Sequence, residues 1–181
     1  MILNGEEILQ YHSLKKIEID PWDKKRVGAN SYDVCLYPII RRYISDKDSW
    51  YLDPKKDNKT IEITIPDSGF ILHQGDFILG STNEINNNYT DDLVPMIEGR
   101  SSIARLGLTA HAAAGFGDVG FCGRWTLEII AALPVIIYPF MPIAQLYWVR
   151  TTPTPRKYQG KYLHQQEAVA SKIFLEMRDG R

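Results

Sequence analysis

Short apolar runs dominate the pattern of this chain, and few of them keep a helical period. Residues 32–37, 60–65, 70–72, 77–82, 108–112, 125–130, 135–138 and 144–149 form such runs, with glycine, proline and other turn formers between them. This spacing predicts a mainly β fold, a sandwich or barrel. One exception is the N-terminus, where Asn4 stands three positions before Glu7 and just ahead of Ile8, Leu9 and Tyr11. That is a capping box followed by an apolar side, and it predicts a short helix. A second exception is residues 101–107, with Ser101 as N-cap, Ser102 to Leu106 as one or two helical turns, and Gly107 as the stop. His73-Gln74-Gly75-Asp76 predicts a tight connection between strands, and Asn86-Asn87-Asn88 an exposed loop.

In the run 125–130, strand alternation puts Trp125, Leu127 and Ile129 on one face and Thr126, Glu128 and Ile130 on the other. Glu128 is then a carboxylate set among apolar neighbours, and a buried carboxylate requires a cation or hydrogen-bond donors. Arg105 and Ser101 are four apart, share one face of a helical turn, and are the expected partners. The plainer alternative leaves Glu128 on the wet face of an edge strand. Residues 99–105, with two arginines, Ser102 and the first-turn N–H groups, form a candidate anion site; the alternative is an ordinary capped helix with solvated arginines. Residues 110–123 hold four alanines and four glycines, which lets backbone come close to a flat ligand. Within them Asp118 can orient water or simply form a turn. His111 has no second metal-type ligand at helical or strand spacing and reads as a satisfied core histidine.

Size and charge narrow the classes. A length of 181 residues suits one domain, and 44% hydrophobic with 24% charged residues leaves no reason to invoke disorder. A formal net charge of -1 argues against a nucleic-acid coat, so any phosphate site must be local. The first residues show no secretory signal and no run reaches the ~18 apolar residues of a membrane span, so the cytoplasm is the expected address. Cys35 and Cys122 are the two cysteines, which excludes a disulfide framework and a paired-cysteine zinc set and predicts two buried, reduced thiols. After Val149 the chain turns polar and basic through residues 151–162. That segment is too poor in apolar residues to form its own core, but it can order over a charged ligand as a lid.

Taken together, these segments resemble the dCTP deaminase family, nearly end to end. The resemblance rests on Gly-Arg-Ser-Ser-x-Ala-Arg-x-Gly-Leu from Gly99, Gly-Phe-x-Gly-x-x-Thr-Leu-Glu ending at Glu128, and Gln-Gln-x-Ala-Val-Ala-Ser from Gln165. Gly28 to Val34 resembles that family's N-terminal strand, and Leu72 to Asp76 its next hairpin. The resemblance implies a dUTPase-like distorted β-barrel or jelly roll, with a short N-terminal helix and one or two short internal helices. It implies one domain over residues 1–181, residues 151–181 being a tail that closes over the active site, and a homotrimer with sites shared between subunits.

The implied reaction is hydrolytic deamination of dCTP, carried as its magnesium complex, to dUTP and ammonia. Glu128 is then the general base, and Ser101 and Arg105 arrange water and transition state, while in the hydrolytic alternative Asp118 positions the second water for phosphoanhydride attack. Backbone around Ala112 and Ala114 reads the base, Arg100, Ser102, Tyr158 and Lys161 hold the triphosphate, and Gln165 is a tail contact. Most nucleobase deaminases activate water with zinc on His and Cys ligands and carry a Pro-Cys-x-x-Cys string; no such string is present, and the implied chemistry needs a positioned carboxylate instead. Magnesium would be held by phosphate oxygens, with no protein ligand. Gly115, where single-activity relatives often carry His, leans toward an alternative, a bifunctional enzyme that continues to dUMP and pyrophosphate. Two other readings are a nucleotide-sensing module without turnover and a modified cytosine nucleotide as substrate.

Overall fold

The computed structural model describes residues 1–44, 51–154 and 156–178. The helix α1 (Gly5–Ser13) forms as expected: Asn4 accepts from the Glu7 N–H at 2.9 Å, and Glu7 accepts from the Asn4 N–H at 3.0 Å. Its inner face buries Ile8, and Arg150 ties it down through Glu7 and the Tyr11 hydroxyl at 3.0 and 2.9 Å.

The strands follow in the order β1 (Ile17–Asp20), β2 (Tyr32–Cys35), β3 (Ile39–Tyr43), β4 (Thr60–Thr64), β5 (Phe70–Leu72), β6 (Phe77–Ser81), β7 (Ile85–Asn88) and β8 (Leu93–Gly99). After the single-turn α2 (Ser101–Ala104) come β9 (Leu108–Thr109), β10 (Cys122–Gly123), β11 (Thr126–Ala131), β12 (Val135–Ile137) and β13 (Pro142–Arg150). A last helix, α3 (Ile173–Arg178), ends the described tail. The chain is mainly β, as its pattern predicts. A five-stranded sheet β4-β3-β6-β11-β9 and a three-stranded sheet β2-β13-β8 face one another across the core, with β1-β7-β10 and β12-β5 beside them.

Period-two burial builds that core. Leu127, Ile129 and Ala131 of β11 are buried while Thr126, Glu128 and Ile130 are half-buried, and Ala144, Leu146 and Trp148 of β13 point the same way. Each large apolar side chain so buried contributes about 1.5–3 kcal/mol before chain entropy is subtracted. Both cysteines are free and buried. Among the described residues no helix is long and apolar enough to cross a membrane.

Three expectations need correction. Asn86-Asn87-Asn88 is not an exposed loop: it lies in β7 between β1 and β10, with Asn86 and Asn88 buried. The Asn88 amide donates to the Leu93 carbonyl at 2.6 Å and accepts from the Thr90 hydroxyl, which makes a polar side chain tolerable inside. Ser101 is not the N-cap of α2; Arg100 holds that position in extended backbone without a side-chain cap bond. Gly107 does end the turn, at φ +78, with its N–H on the Ala104 carbonyl. Strands β1, β3, β7, β8 and β10 had no counterpart in the apolar pattern. In β8, Pro95 masks the strand, and it is tolerated because β8 is a sheet edge.

A buried ion pair fixes the sheet corner behind this core. Glu84 is fully buried, its carboxylate accepting from the Cys35 N–H at 2.8 Å and from the Arg26 guanidinium. Burial pushes the Glu84 carboxyl up, and the Cys35 N–H and Arg26 oppose that shift. Removing the cation leaves a buried charge with the Cys35 N–H but no counter-charge, so Arg26→Ala is expected to cost about 3 kcal/mol. That is the low end of the range, because Arg26 is 30% exposed. Thermal unfolding should show the midpoint fall by roughly 6–12 °C; a fall under about 2 °C would mean that solvent already compensates Glu84.

Candidate active site

The strand β11 sits between β6 and β9, with Glu128 opposite Leu79. Along β9 the ladder runs Ala131 to Leu108 and Ile130 to Thr109, and the same register carried on brings His111 across from Glu128. The His111 Nδ1 lies 3.1 Å from Glu128 Oε2, with the imidazole 5% and the carboxylate 27% exposed. This is ion-pair distance, off the line of a good hydrogen bond, and among the described residues Oε2 has no other partner. Burial pushes the Glu128 carboxyl up, but His111 beside it and the N–H groups of Glu128 and Ala112 outweigh burial and hold it below the usual carboxylate range.

The expected partners of Glu128, Arg105 and Ser101, are thus replaced within the chain by His111. His111 is no mere core residue. The signal that finds it is the β9–β11 register, which is long-range and absent from local periodicity.

Glu128 faces a cavity of about 430 Å³, the size of a small-molecule site. Phe121 and Trp125 form one wall with ring centroids 4.9 Å apart, and Tyr158 stands 5.9 Å from Phe121. Asp118 lines the cavity from a left-handed backbone position at φ +33, and Ala114 lines it too. The loop that carries them is held against β8: Gly117 N–H donates to the Pro95 carbonyl and Ile97 N–H to the Gly115 carbonyl, both at 3.0 Å. A Cβ on Gly115 would sit 2.6 Å from the Ile97 carbonyl oxygen, so this path requires glycine there.

Tyr43 of β3, Phe77 and Leu79 of β6 and the tail form the remaining walls. Tyr158 and Gln165 line the cavity, together with Tyr162, Val169 and Ser171. The tail docks through backbone: Tyr158 N–H to the Val119 carbonyl at 2.8 Å, His164 N–H to Cys122 at 2.7 Å and Arg124 N–H to Gln165 at 2.9 Å. Val169 N–H donates to the Thr126 hydroxyl at 3.1 Å. Gly123, at φ +136, permits the close pass, since a Cβ there would meet the Gln165 backbone at 3.0 Å.

The structure brings Glu128, Asp118, Ala114, Tyr158 and Gln165 to one cavity. It does not bring the rest there. Ser101, Ser102 and Arg105 are exposed on α2, and Ala112 is exposed beside His111. Arg100 pairs with Asp33 at 2.9 Å, and Lys161 pairs with Glu176. The aromatic residues Phe121 and Trp125 were not among the sequence candidates, because apolar patterning reads such side chains as core. Among the described residues, no group of three or more His, Cys, Asp or Glu side chains is arranged to hold a metal ion.

A family model described as dCTP deaminase-like matches residues 2–151. A protein of Hathewaya histolytica named "dCTP deaminase, dUMP-forming" is 42% identical over 177 residues, covering 97% of this chain and 99% of its own. One of the same name from Clostridium botulinum (strain Alaska E43 / Type E3) is 45% identical over 148 residues, 82% of each chain. In structure, the chain is similar to the 2'-deoxycytidine 5'-triphosphate deaminase of Agrobacterium tumefaciens, with a TM-score of 0.62 at 18% identity. That likeness covers 81% of this chain and 47% of the larger protein, and it shows the fold. By sequence and by fold, the chain belongs to the dCTP deaminase-like family.

Proposed function

We propose that this protein deaminates dCTP and then hydrolyses the triphosphate, releasing ammonia, dUMP and pyrophosphate. The observation that carries the reading is an ionised carboxylate, Glu128, half-buried on the wall of a nucleotide-sized cavity. The sequence alone favoured dUTP as the end product. The relatives named dUMP-forming favour that alternative, and the glycine-only path at residue 115 agrees with it.

In the first step Glu128 takes a proton from water as the oxygen bonds to C4 of cytosine. Addition moves the C4=N3 π pair onto N3, which takes that proton; the proton of the new C4 hydroxyl then passes by way of Glu128 to the exocyclic nitrogen, C4=O forms as the C4–N bond breaks, and ammonia leaves. In the second step Asp118 orients a water onto the α-phosphorus, and pyrophosphate departs. Ala114 backbone reads the base edge with Ala112 beside it, Tyr158 and Lys161 meet the phosphates, and Gln165 anchors the tail as a lid of one domain. Ser101, Ser102, Arg105 and Arg100 lie outside the cavity of their own chain, which supports a site completed by α2 of a neighbouring subunit in a homotrimer. Magnesium arrives on the triphosphate, held by its oxygens and water, as suits a cation that dehydrates reluctantly. We place no zinc, nucleic acid or membrane in this function, and the cytoplasm is its proposed setting.

Incubation with dCTP and magnesium should yield ammonia, dUMP and pyrophosphate in equal amounts. Accumulation of dUTP without pyrophosphate would remove the second step. Tight dCTP binding with no ammonia released would instead make the protein a nucleotide sensor.

A further inference from the structure

The helix α3 makes a contact that the chemistry above does not use. Lys161 donates from its ammonium to Glu176 on α3. Beside it, Lys172 Nζ donates to the Lys161 carbonyl at 3.1 Å, and Lys172 N–H donates to the Tyr162 hydroxyl at 3.0 Å. Both ammonium groups lie over the Tyr162 ring, 5.4 and 5.8 Å from its centroid, and Tyr162 lines the cavity. The helix itself is six residues long and buries none of them. A helix so short does not hold in water by itself, so these polar ties to the cavity wall are what keep it in place.

We propose that Glu176 is an internal stand-in for phosphate: without nucleotide its carboxylate occupies Lys161, and the incoming triphosphate displaces it and frees α3. The inference rests on the reading of Lys161 as a phosphate ligand. Glu176 neutralises that cation and docks the tail while the site is empty, and it competes again for Lys161 once pyrophosphate has left. Its grip is weak by design of its surroundings. The two side chains are 24% and 52% exposed, and exposed pairs of this kind limit the penalty on nucleotide to about fivefold in affinity.

The test is a double-mutant cycle on the KM for dCTP. Glu176→Gln should lower KM by about two- to fivefold, Lys161→Ala should raise it, and Glu176→Gln should have no effect on the Lys161→Ala background. The gap between parent and Glu176→Gln should close at about 1 M salt, where charges are screened within about 3 Å. If Lys161→Ala raises KM but Glu176→Gln leaves it unchanged or raises it, the stand-in role is overturned while Lys161 remains a phosphate ligand. If Lys161→Ala leaves KM unchanged, the reading of Lys161 falls, and this inference with it.

Discussion

Glutamine at position 128 is expected to lower kcat for ammonia release by about a thousandfold while KM for dCTP moves by less than about threefold. The substitution preserves shape and still places an oxygen near His111 Nδ1, which the carboxylate approaches to 3.1 Å. It removes the one property the reaction needs, an oxygen basic enough to take a proton from water. Positioned acid–base groups contribute about 10²–10⁴ in rate, and Asp118, the other carboxylate on the cavity wall, makes no ion pair with His111 among the described residues to take over. Steady-state kinetics of ammonia release, with a thermal midpoint to confirm folding, decide it. Deamination near the parent rate would end the general-base assignment. A KM that rises in step with the loss of kcat would recast Glu128 as a substrate-binding group.

What could be read from the chain depends on how local its cause is. The capping box of α1 is made by Asn4 and Glu7 alone, and it was legible because both partners lie within one turn. The alternation that turns Glu128 away from Leu127 and Ile129 is equally local. Asn86 to Asn88 misled for the converse reason: three asparagines read as a loop, but Asn88 is paid in hydrogen bonds by Thr90 and Leu93, and β7 is held by strands far away in sequence. The partner of Glu128 was misassigned in the same way. Arg105 and Ser101 are plausible by helical spacing, whereas His111 is set by the register of β9 on β11. Of the candidate residues that the family motifs supply, a single chain assembles five around the cavity. Of the others, Ser101, Ser102 and Arg105 are exposed on the α2 turn, Ala112 is exposed beside His111, and Arg100 and Lys161 are engaged by Asp33 and Glu176.

His111 should therefore act as a positioning residue, and its loss should appear most clearly in pH dependence. In the parent, Glu128 titrates below its ordinary value of 4.5 because His111 and nearby N–H groups overcome burial. Its ionisation then adds stability that is present above pH 4.5 and is lost as pH falls through the lower folded value. In His111→Ala both contributions of the imidazole are lost and the carboxyl moves up from its parent position, so the stability that its ionisation adds shrinks. The acid limb of kcat/KM, which reports the free enzyme's base, should move up in pH from its parent position. At neutral pH the loss in kcat should be about 10–100-fold, since an untethered base spends less time aligned with the water. His111→Asn restores a donor near Nδ1 without a charge. It should recover most of kcat and place the acid limb between those of parent and alanine variant. An acid limb that stays with the parent in both variants would show that Glu128 is held by something other than this imidazole, and that the 3.1 Å approach has no part in tuning the base.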